Sequence, residues 1–427
     1  MRPTRTRYKV VAFAISLATI QYLDRVAISS AAAVPDIRKS LGLSDIQMGW
    51  VFSAFALAYA LFDIPGGWMG DWMGPRKVLM RVVVWWSAFT AATGMTWNLW
   101  SMLTARFLFG AGEAGCFPNL TKVFTIWLPF HERNRAQGLL WMSARWGGAF
   151  TPLIATPVIV AIGWRAAFAV FGSLGLIWAG VFYLWFRDNP ADHAGVNAAE
   201  RELLRASSAN LTRHEPVNWP LLLRSRRVWM LCWQYFALNY GWYFYITWLP
   251  TYLREGRHLT LTSSTLLSVL PLFFGGSANP VSVFLAERLT RITRSVAISR
   301  RIVACCGLGG AAACLILCAN LADPVLAVLA MAFASFCNDL TMPCSWGASM
   351  DLGGRYAGTV SGMMNSIGNL SGALLPVAVP YILHLAGNNW NAVFYVSAGM
   401  YLTGILIWLA LDSATPLEPS TSQHAGR

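Results

Sequence analysis

Seven ionisable residues stand inside long apolar stretches of the chain: Asp24, Arg25, Asp63, Arg106, Glu113, Arg145 and Asp339. An unpaired charge near the middle of a membrane-spanning helix costs at least ~2.5 kcal/mol, so each is either part of a working site or half of a buried ion pair. Their chemistry suits anions and protons: a guanidinium grips a carboxylate through two donors, and a buried carboxylate takes up and releases a proton. Arg106 and Glu113 are seven positions apart, which on a helix puts them on one stripe separated by roughly 10.5 Å of rise. Gly110, Ala111 and Gly112 lie between them and let a neighbour or ligand come close. Tyr22 and Arg25 share a helix face, while Asp24 is turned away from Arg25 by about 100°. One segment thus offers a cation and a phenol to a ligand and a carboxylate to its side.

The elements that carry these residues follow from composition. Of 427 residues, 56% are hydrophobic and 12% charged, against roughly 45–50% and 25% in an ordinary soluble domain. Apolar runs long enough to cross a bilayer recur at about 10–33, 48–70, 78–97, 100–123, 138–161, 165–186, 228–253, 264–287, 302–320, 323–349, 358–385 and 391–411. Lipid admits only helices or closed barrels, and runs of this length without alternation choose helices. The first run contains Asp24 and Arg25 and lacks a small-residue cleavage site, so it reads as a retained helix.

The net charge of +13 invites a nucleic-acid reading, but its distribution argues otherwise. An even number of spans puts both ends on one side, and that side carries 24 of the 32 Lys and Arg. The other side has Arg38, Lys39, Arg165, Arg254 and Arg257, and Arg25, Arg106 and Arg145 lie within spans. This is positive-inside bias, with both termini cytoplasmic in a multi-pass inner-membrane protein. The eight cysteines fall inside spans with no metal-type spacing and read as packing residues. No metal or cofactor is expected, and no nucleic-acid partner.

The stretch from Asp188 to Arg227 is the one long polar segment. It divides the chain into residues 1–187 and 228–427, each with six spans, joined by a cytoplasmic linker over 188–227 that holds at most one short amphipathic helix. The expected fold is all-α, twelve transmembrane helices in two six-helix bundles that rock about a central site. Residues 66–77 read Gly-Gly-Trp-Met-Gly-Asp-Trp-Met-Gly-Pro-Arg-Lys. Glycines there permit close helix approach and a tight turn, and Asp71 and Arg76 could form a breakable ion pair at a gate. The spacing G-x-x-x-D-x-x-G-x-R-K resembles the signature of the major facilitator superfamily, with a degenerate echo at Ala286-Glu287-Arg288-Leu289.

A narrower resemblance covers nearly the whole chain. Tyr22-Leu-Asp24-Arg25, Tyr59 with Ile64-Pro65-Gly66-Gly67, the run from Arg106 through Gly110, Gly112 and Glu113 to Phe117-Pro118, and Trp248-Leu-Pro250-Thr-Tyr252-Leu253 resemble the anion:cation symporter family. That family includes proton-coupled importers of sugar acids and is similar to sialin and the vesicular glutamate transporters. The resemblance implies that Arg25 holds the substrate carboxylate and that Tyr22 and Tyr59 line the site. It implies that Asp24 and Glu113 carry protons, with Arg106 interacting with Glu113, and that an asparagine of Asn365-Ser-Ile-Gly-Asn369 contacts the substrate. Charge counting agrees with such a mechanism: three arginines against four carboxylates leave the ionised interior at −1, and protonating Asp24 and Glu113 makes it +1.

In the second half, Gly358, Gly362, Asn365, Asn369, Gly372 and Pro376 recur at three- and four-residue steps and give one small, polar face. Asn239, Tyr240, Tyr243 and Tyr245 lie on the seventh span, and Pro343, Ser345 and Trp346 on the tenth. Tyr243, Ser345, Trp346, Asn365 and Asn369 are therefore expected as second-half ligand contacts. Two departures mark this chain: Asp63 and Arg145 stand where most symporter relatives have glutamine. Arg145 is expected to meet Asp63, Asp339 or the ligand itself, where it would act as a second anion clamp.

Taken together, these residues indicate a monomeric secondary transporter importing an organic anion, a sugar acid or related carboxylate, by proton symport. An exporter or uniporter on the same fold is the near alternative. An enzyme would need a clustered nucleophile, base or metal set, whereas His131, His193, His214, His258, His384 and His424 are scattered. A receptor would be expected to carry a signalling domain, and the largest loop has forty residues.

Overall fold

A computed structural model describes residues 2–418 except 34–36, 38, 39, 209–216, 250 and 251. Arg38, Lys39, His214, His424, Pro250 and Thr251 lie outside the described residues, as do the side chains of Pro152 and Pro376. Helices α1 (Thr6–Ala33), α2 (Asp45–Met73), α3 (Pro75–Thr93), α4 (Leu99–Glu113), α5 (Cys116–Trp127), α6 (Phe130–Ile162) and α7 (Trp164–Trp185) make up the first half of the chain. Two short helices follow in the polar segment, α8 (Ala198–Ser208) and α9 (Trp219–Arg224). The second half holds α10 (Arg226–Thr247), α11 (Leu261–Thr293), α12 (Val296–Asn320), α13 (Pro324–Asp339), α14 (Met342–Gly353), α15 (Ala357–Leu385) and α16 (Trp390–Ala410). No strand occurs among the described residues.

Every expected span overlaps one of these helices or an interrupted pair, that at 228–253 only as far as Thr247. Among the described residues, seven stretches are long and apolar enough to cross a membrane, or eight if the bent α6 is one span, and Pro324–Leu375 among them covers the expected span at 323–349 and the first part of that at 358–385. The expected spans at 78–97, 100–123 and 228–253 are not among them. The polar segment contains two short α-helices where one was expected.

Local sequence explains where the helices begin and end. Ser44 with Gln47 and Asn98 with Ser101 form reciprocal capping boxes at the starts of α2 and α4, and Asp323 caps α13 through the amides of Val325 and Leu326. Gly74, with φ 88°, turns the chain between α2 and α3, and Pro75 opens α3 where its missing N–H is no loss. Gly115, with φ 84°, interrupts the fourth span between Glu113 and Cys116.

The helices pack so that α2 and α10 lie against α15, and α1 and α11 against α6. Side chains such as Ile177, Leu184, Leu402 and Leu406 face outward as an apolar surface of the kind lipid covers. Small residues set the close contacts. A Cβ added at Gly66 would lie 2.6 Å from the Gly115 Cα, and one at Gly67 would lie 2.2 Å from the Gly358 carbonyl oxygen. The signature glycines thus seat α2 against both the fourth span and α15.

Candidate functional site

Where the two halves meet, a central cavity with about 290 Å3 of empty volume is lined by six of the expected residues: Tyr22, Arg25, Tyr59, Arg145, Asn365 and Asn369. Arg25 is its chemical centre. Its guanidinium lies among the rings of Tyr22, Phe55 and Tyr59, at 4.9, 5.2 and 4.8 Å from their centroids. It donates to Glu113 Oε1 from Nε at 3.0 Å and from Nη2 at 2.7 Å. Gln21, one turn before Arg25 on α1, donates to the same oxygen at 2.7 Å. Glu113 is fully buried, and its Oε2 has no hydrogen-bond partner.

Arg106 and Glu113 lie within electrostatic reach of each other but make no direct hydrogen bond or ion pair. The rise along their shared stripe is longer than an arginine side chain readily spans, and Arg106 instead turns to the rings of Phe109 and Phe55, 4.2 and 5.4 Å away. Its Nε and Nη1 are buried without hydrogen-bond partners. Asp24 is also fully buried; one oxygen accepts from Trp86 Nε1 at 3.2 Å, and the other has no partner. It faces away from Arg25, as the helical angle requires.

Arg145 meets Asp339, not Asp63. Its Nε and Nη2 reach the two carboxylate oxygens at 2.8 and 3.3 Å, and Asn338 donates to the carboxylate at 2.9 Å. The guanidinium also lies 4.2 Å from the Trp242 ring centroid. This fork joins α6 of the first half to α13 of the second. Asp63 has a different use: its carboxylate accepts from the Gly115 amide at 2.8 Å, at the buried N-terminal end of α5 that the helix break creates.

In the second half, Asn365 donates to the Tyr59 hydroxyl at 3.3 Å and Tyr243 donates to Asn369 at 2.6 Å. Tyr243 therefore orients a lining asparagine without itself lining the cavity. Ser345 and Trp346, expected as ligand contacts, also stand off the cavity. The Ser345 hydroxyl is engaged with Gln234 and the Thr341 carbonyl, and Trp346 donates to the Tyr235 hydroxyl while packing behind Trp141 and Phe117. The sequence reading missed Trp141, Tyr235, Trp242 and Met342 as lining residues, and used Asn239 and Phe117 only as parts of a polar span and a motif. Tyr235, Asn239 and Trp242 follow an i, i+4, i+7 spacing that marks one face of α10, a signal that was available.

Below the cavity, on the face that bears the termini, the halves are tied by a second cluster. Asp71 accepts from the amides of Gly358 and Thr359 at 3.1 and 2.6 Å and from the Thr359 hydroxyl at 2.7 Å, so it caps α15 from across the interface. Its ion-pair partner is Lys122 at 3.0 Å, and the expected Asp71–Arg76 pair is absent. Arg76 instead donates its amide to Asp188 and its guanidinium to the Tyr183 carbonyl. Arg300 bridges Asp351 at 2.6 Å and Asn134 at 3.1 Å, and Arg135 pairs with Glu287. At the same face, Arg7 links Glu132 to Glu200, and Glu200 accepts from the Thr6 and Arg7 amides at the start of α1.

Comparison with known proteins agrees with this architecture. The chain is 34% identical over 422 residues to a protein of Cupriavidus necator described as a probable sulfoacetate transporter, covering 99% of this chain and 97% of the relative. It is 30% identical over 370 residues to a probable L-galactonate transporter of Escherichia coli, covering 86% and 81%. Among solved structures it shares its fold with a proton:xylose symporter at TM-score 0.78 and 12% identity, covering 96% and 98%, a likeness of fold alone. The family model of the Major Facilitator Superfamily matches residues 14–376, and the chain belongs to that superfamily.

Proposed function

We propose that the protein is a secondary active transporter that imports an organic anion, a sugar acid or related carboxylate, together with protons by alternating access. The observation that carries this reading is the contact between Arg25 and Glu113 in the wall of the central cavity. An incoming carboxylate needs the guanidinium that Glu113 occupies. Protonating Glu113 weakens its hold on Arg25 and frees the fork for the substrate, so anion binding and proton uptake become one exchange. Loss of the proton restores the Arg25–Glu113 pair and expels the anion. Asp24, buried beside the same group, is a second proton carrier.

The ties on the terminus-bearing face close one entrance, and we read that face as cytoplasmic from its basic residues. Two six-span bundles, residues 1–187 and 228–427, rock about the cavity when Asp71 leaves the α15 amides and Arg300 leaves Asn134. The linker over 188–227 keeps the bundles tethered. The named specificities of the relatives, sulfoacetate and L-galactonate, support a small organic acid as cargo.

The test is uptake of labelled L-galactonate and sulfoacetate by proteoliposomes, with and without an inwardly acidifying pH gradient. Accumulation of either anion above its outside concentration only when the gradient is imposed is expected. Equilibration at the same level with and without the gradient would remove proton coupling and leave a uniporter.

A further inference from the structure

We propose that the cavity takes a short dianion carrying an acid group at each end, one for Arg25 and one for Arg145, each displacing a carboxylate that holds the arginine in the empty site. This rests on the organic-anion reading above and specifies its substrate class. Both guanidinium groups line the same cavity, Arg25 from α1 and Arg145 from α6. Tyr22 lies within electrostatic reach of both.

Each arginine is held by a carboxylate at a helix break, Arg25 by the single oxygen Oε1 of Glu113 and Arg145 by both oxygens of Asp339. Glu113 is the last residue of α4 and Asp339 the last of α13, and each is followed by a two-residue interruption before α5 or α14. Each interrupted pair is the fourth long segment of its half of the chain. Each carboxylate receives a forked guanidinium, at 2.7 and 3.0 Å for Glu113 and at 2.8 and 3.3 Å for Asp339. Each also receives a side-chain amide, from Gln21 at 2.7 Å and from Asn338 at 2.9 Å. A carboxylate at a helix C-terminus sits at the negative end of the macrodipole, so what keeps it there is the arginine and the amide it accepts from. Such a partner is suited to being exchanged.

Charge then dictates the cargo. In the empty site two guanidinium groups face two carboxylates, and the set is neutral. A monoanion displaces Glu113 alone and leaves the Arg145–Asp339 fork intact across the two halves. A dianion that displaces both carboxylates needs a proton on each, and the loaded set is again neutral. One proton on Glu113 and one on Asp339 therefore balance the two charges of the dianion.

The experiment compares malonate and succinate with their monoamides, malonamate and succinamate, binding to the purified full-length protein in nanodiscs. Wild type is expected to bind each diacid about tenfold or more tightly than its monoamide, the scale of one charge-assisted fork. Asp339→Asn leaves Arg145 unclaimed and should raise diacid affinity while removing one of the two protons taken up. Arg145→Gln with Asp339→Asn removes the pair without stranding a charge, and should bring the diacids down to the level of the monoamides. Equal affinity for diacid and monoamide in wild type, with both bound, would overturn the proposal and leave the organic-anion reading standing. A diacid preference undiminished in the double variant would also overturn it, and would make Arg145–Asp339 a structural pair. Failure of the wild type to bind any of these acids, L-galactonate or sulfoacetate would take down both readings together.

Discussion

Gly67→Ala isolates the contact between α2 and α15 that closes the terminus-bearing face. A methyl group there would sit 2.2 Å from the Gly358 carbonyl oxygen, 2.9 Å from its carbon and 3.3 Å from the Gly362 Cα. Ordinary contact between heavy atoms needs ~3.5–4.0 Å, and these neighbours are backbone, so α15 must withdraw by about 1 Å or more. That withdrawal stretches the hydrogen bonds from Gly358 and Thr359 to Asp71, now 3.1 and 2.6 Å. Overpacking costs ~1–3 kcal/mol and losing one charge-assisted hydrogen bond costs ~1.5–3 kcal/mol, while the helix propensity of alanine acts equally in both arrangements and cancels. The closed arrangement should therefore be disfavoured by about 2.5 kcal/mol or more, roughly a hundredfold in the conformational equilibrium. Because the halves can part without unfolding, the melting temperature should move much less than that figure implies. Pulsed electron resonance between labels at the exposed positions His131 and Arg291, in a background without native cysteines, reads the separation. A shift to longer distances is expected in Gly67→Ala. No shift is expected in Gly49→Ala, on the same helix, where an added Cβ meets nothing within 4 Å. An unchanged distance distribution in a folded Gly67→Ala protein would refute the reasoning.

Other perturbations follow from the same contacts. Glu113→Gln should abolish uptake driven by a proton gradient while leaving anion exchange measurable in counterflow, because exchange does not require the carrier to deprotonate; wild-type accumulation in that variant would remove Glu113 from coupling. Arg25→Lys should lose most anion affinity by calorimetry, since a single ammonium cannot replace the fork that now reaches Glu113 through two nitrogens. Glu200→Gln should lower thermal stability by ~1.5–3 kcal/mol, the worth of a charge-assisted bond to Arg7 at the start of α1. Acid should loosen the same corner: burial pushes the Glu132 carboxyl up, but hydrogen bonds from Arg7 and Tyr8 outweigh it and hold it below the usual glutamate range. A depressed carboxylate contributes stability above its unfolded value and loses it as pH falls through the folded one, so hydrogen exchange at the start of α1 should rise only in acid below that range.

Much of this architecture was legible in the residues. Long apolar runs separated by basic loops marked the helices, and the glycines at 66 and 67 marked close contacts that the structure contains. The intramembrane charges also pointed to the cavity: Arg25 and Arg145 line it. Their partners were less legible, because periodicity fixes which face of a helix a residue occupies but not which neighbouring helix its side chain reaches. Arg106 shares a stripe with Glu113, yet Arg25 on another helix takes the carboxylate. Asp71 and Arg76 are close in sequence, but the amides at the start of α15 draw Asp71 across the interface, and the Lys122 ammonium of its own half pairs with it. Ser345 lies on a polar face, but its hydroxyl is engaged with Gln234 on α10. Such pairings are decided by tertiary approach, which one helix at a time does not encode.

The most direct measurement is calorimetry of L-galactonate or sulfoacetate binding in buffers of different ionisation enthalpy, which reports the protons taken up with each anion. If the substrate displaces Glu113 from Arg25, wild type takes up protons on binding near neutral pH, and Glu113→Gln binds the anion with that uptake reduced or gone. Anion binding by wild type with no proton uptake, or uptake undiminished in Glu113→Gln, would contradict the exchange at Arg25.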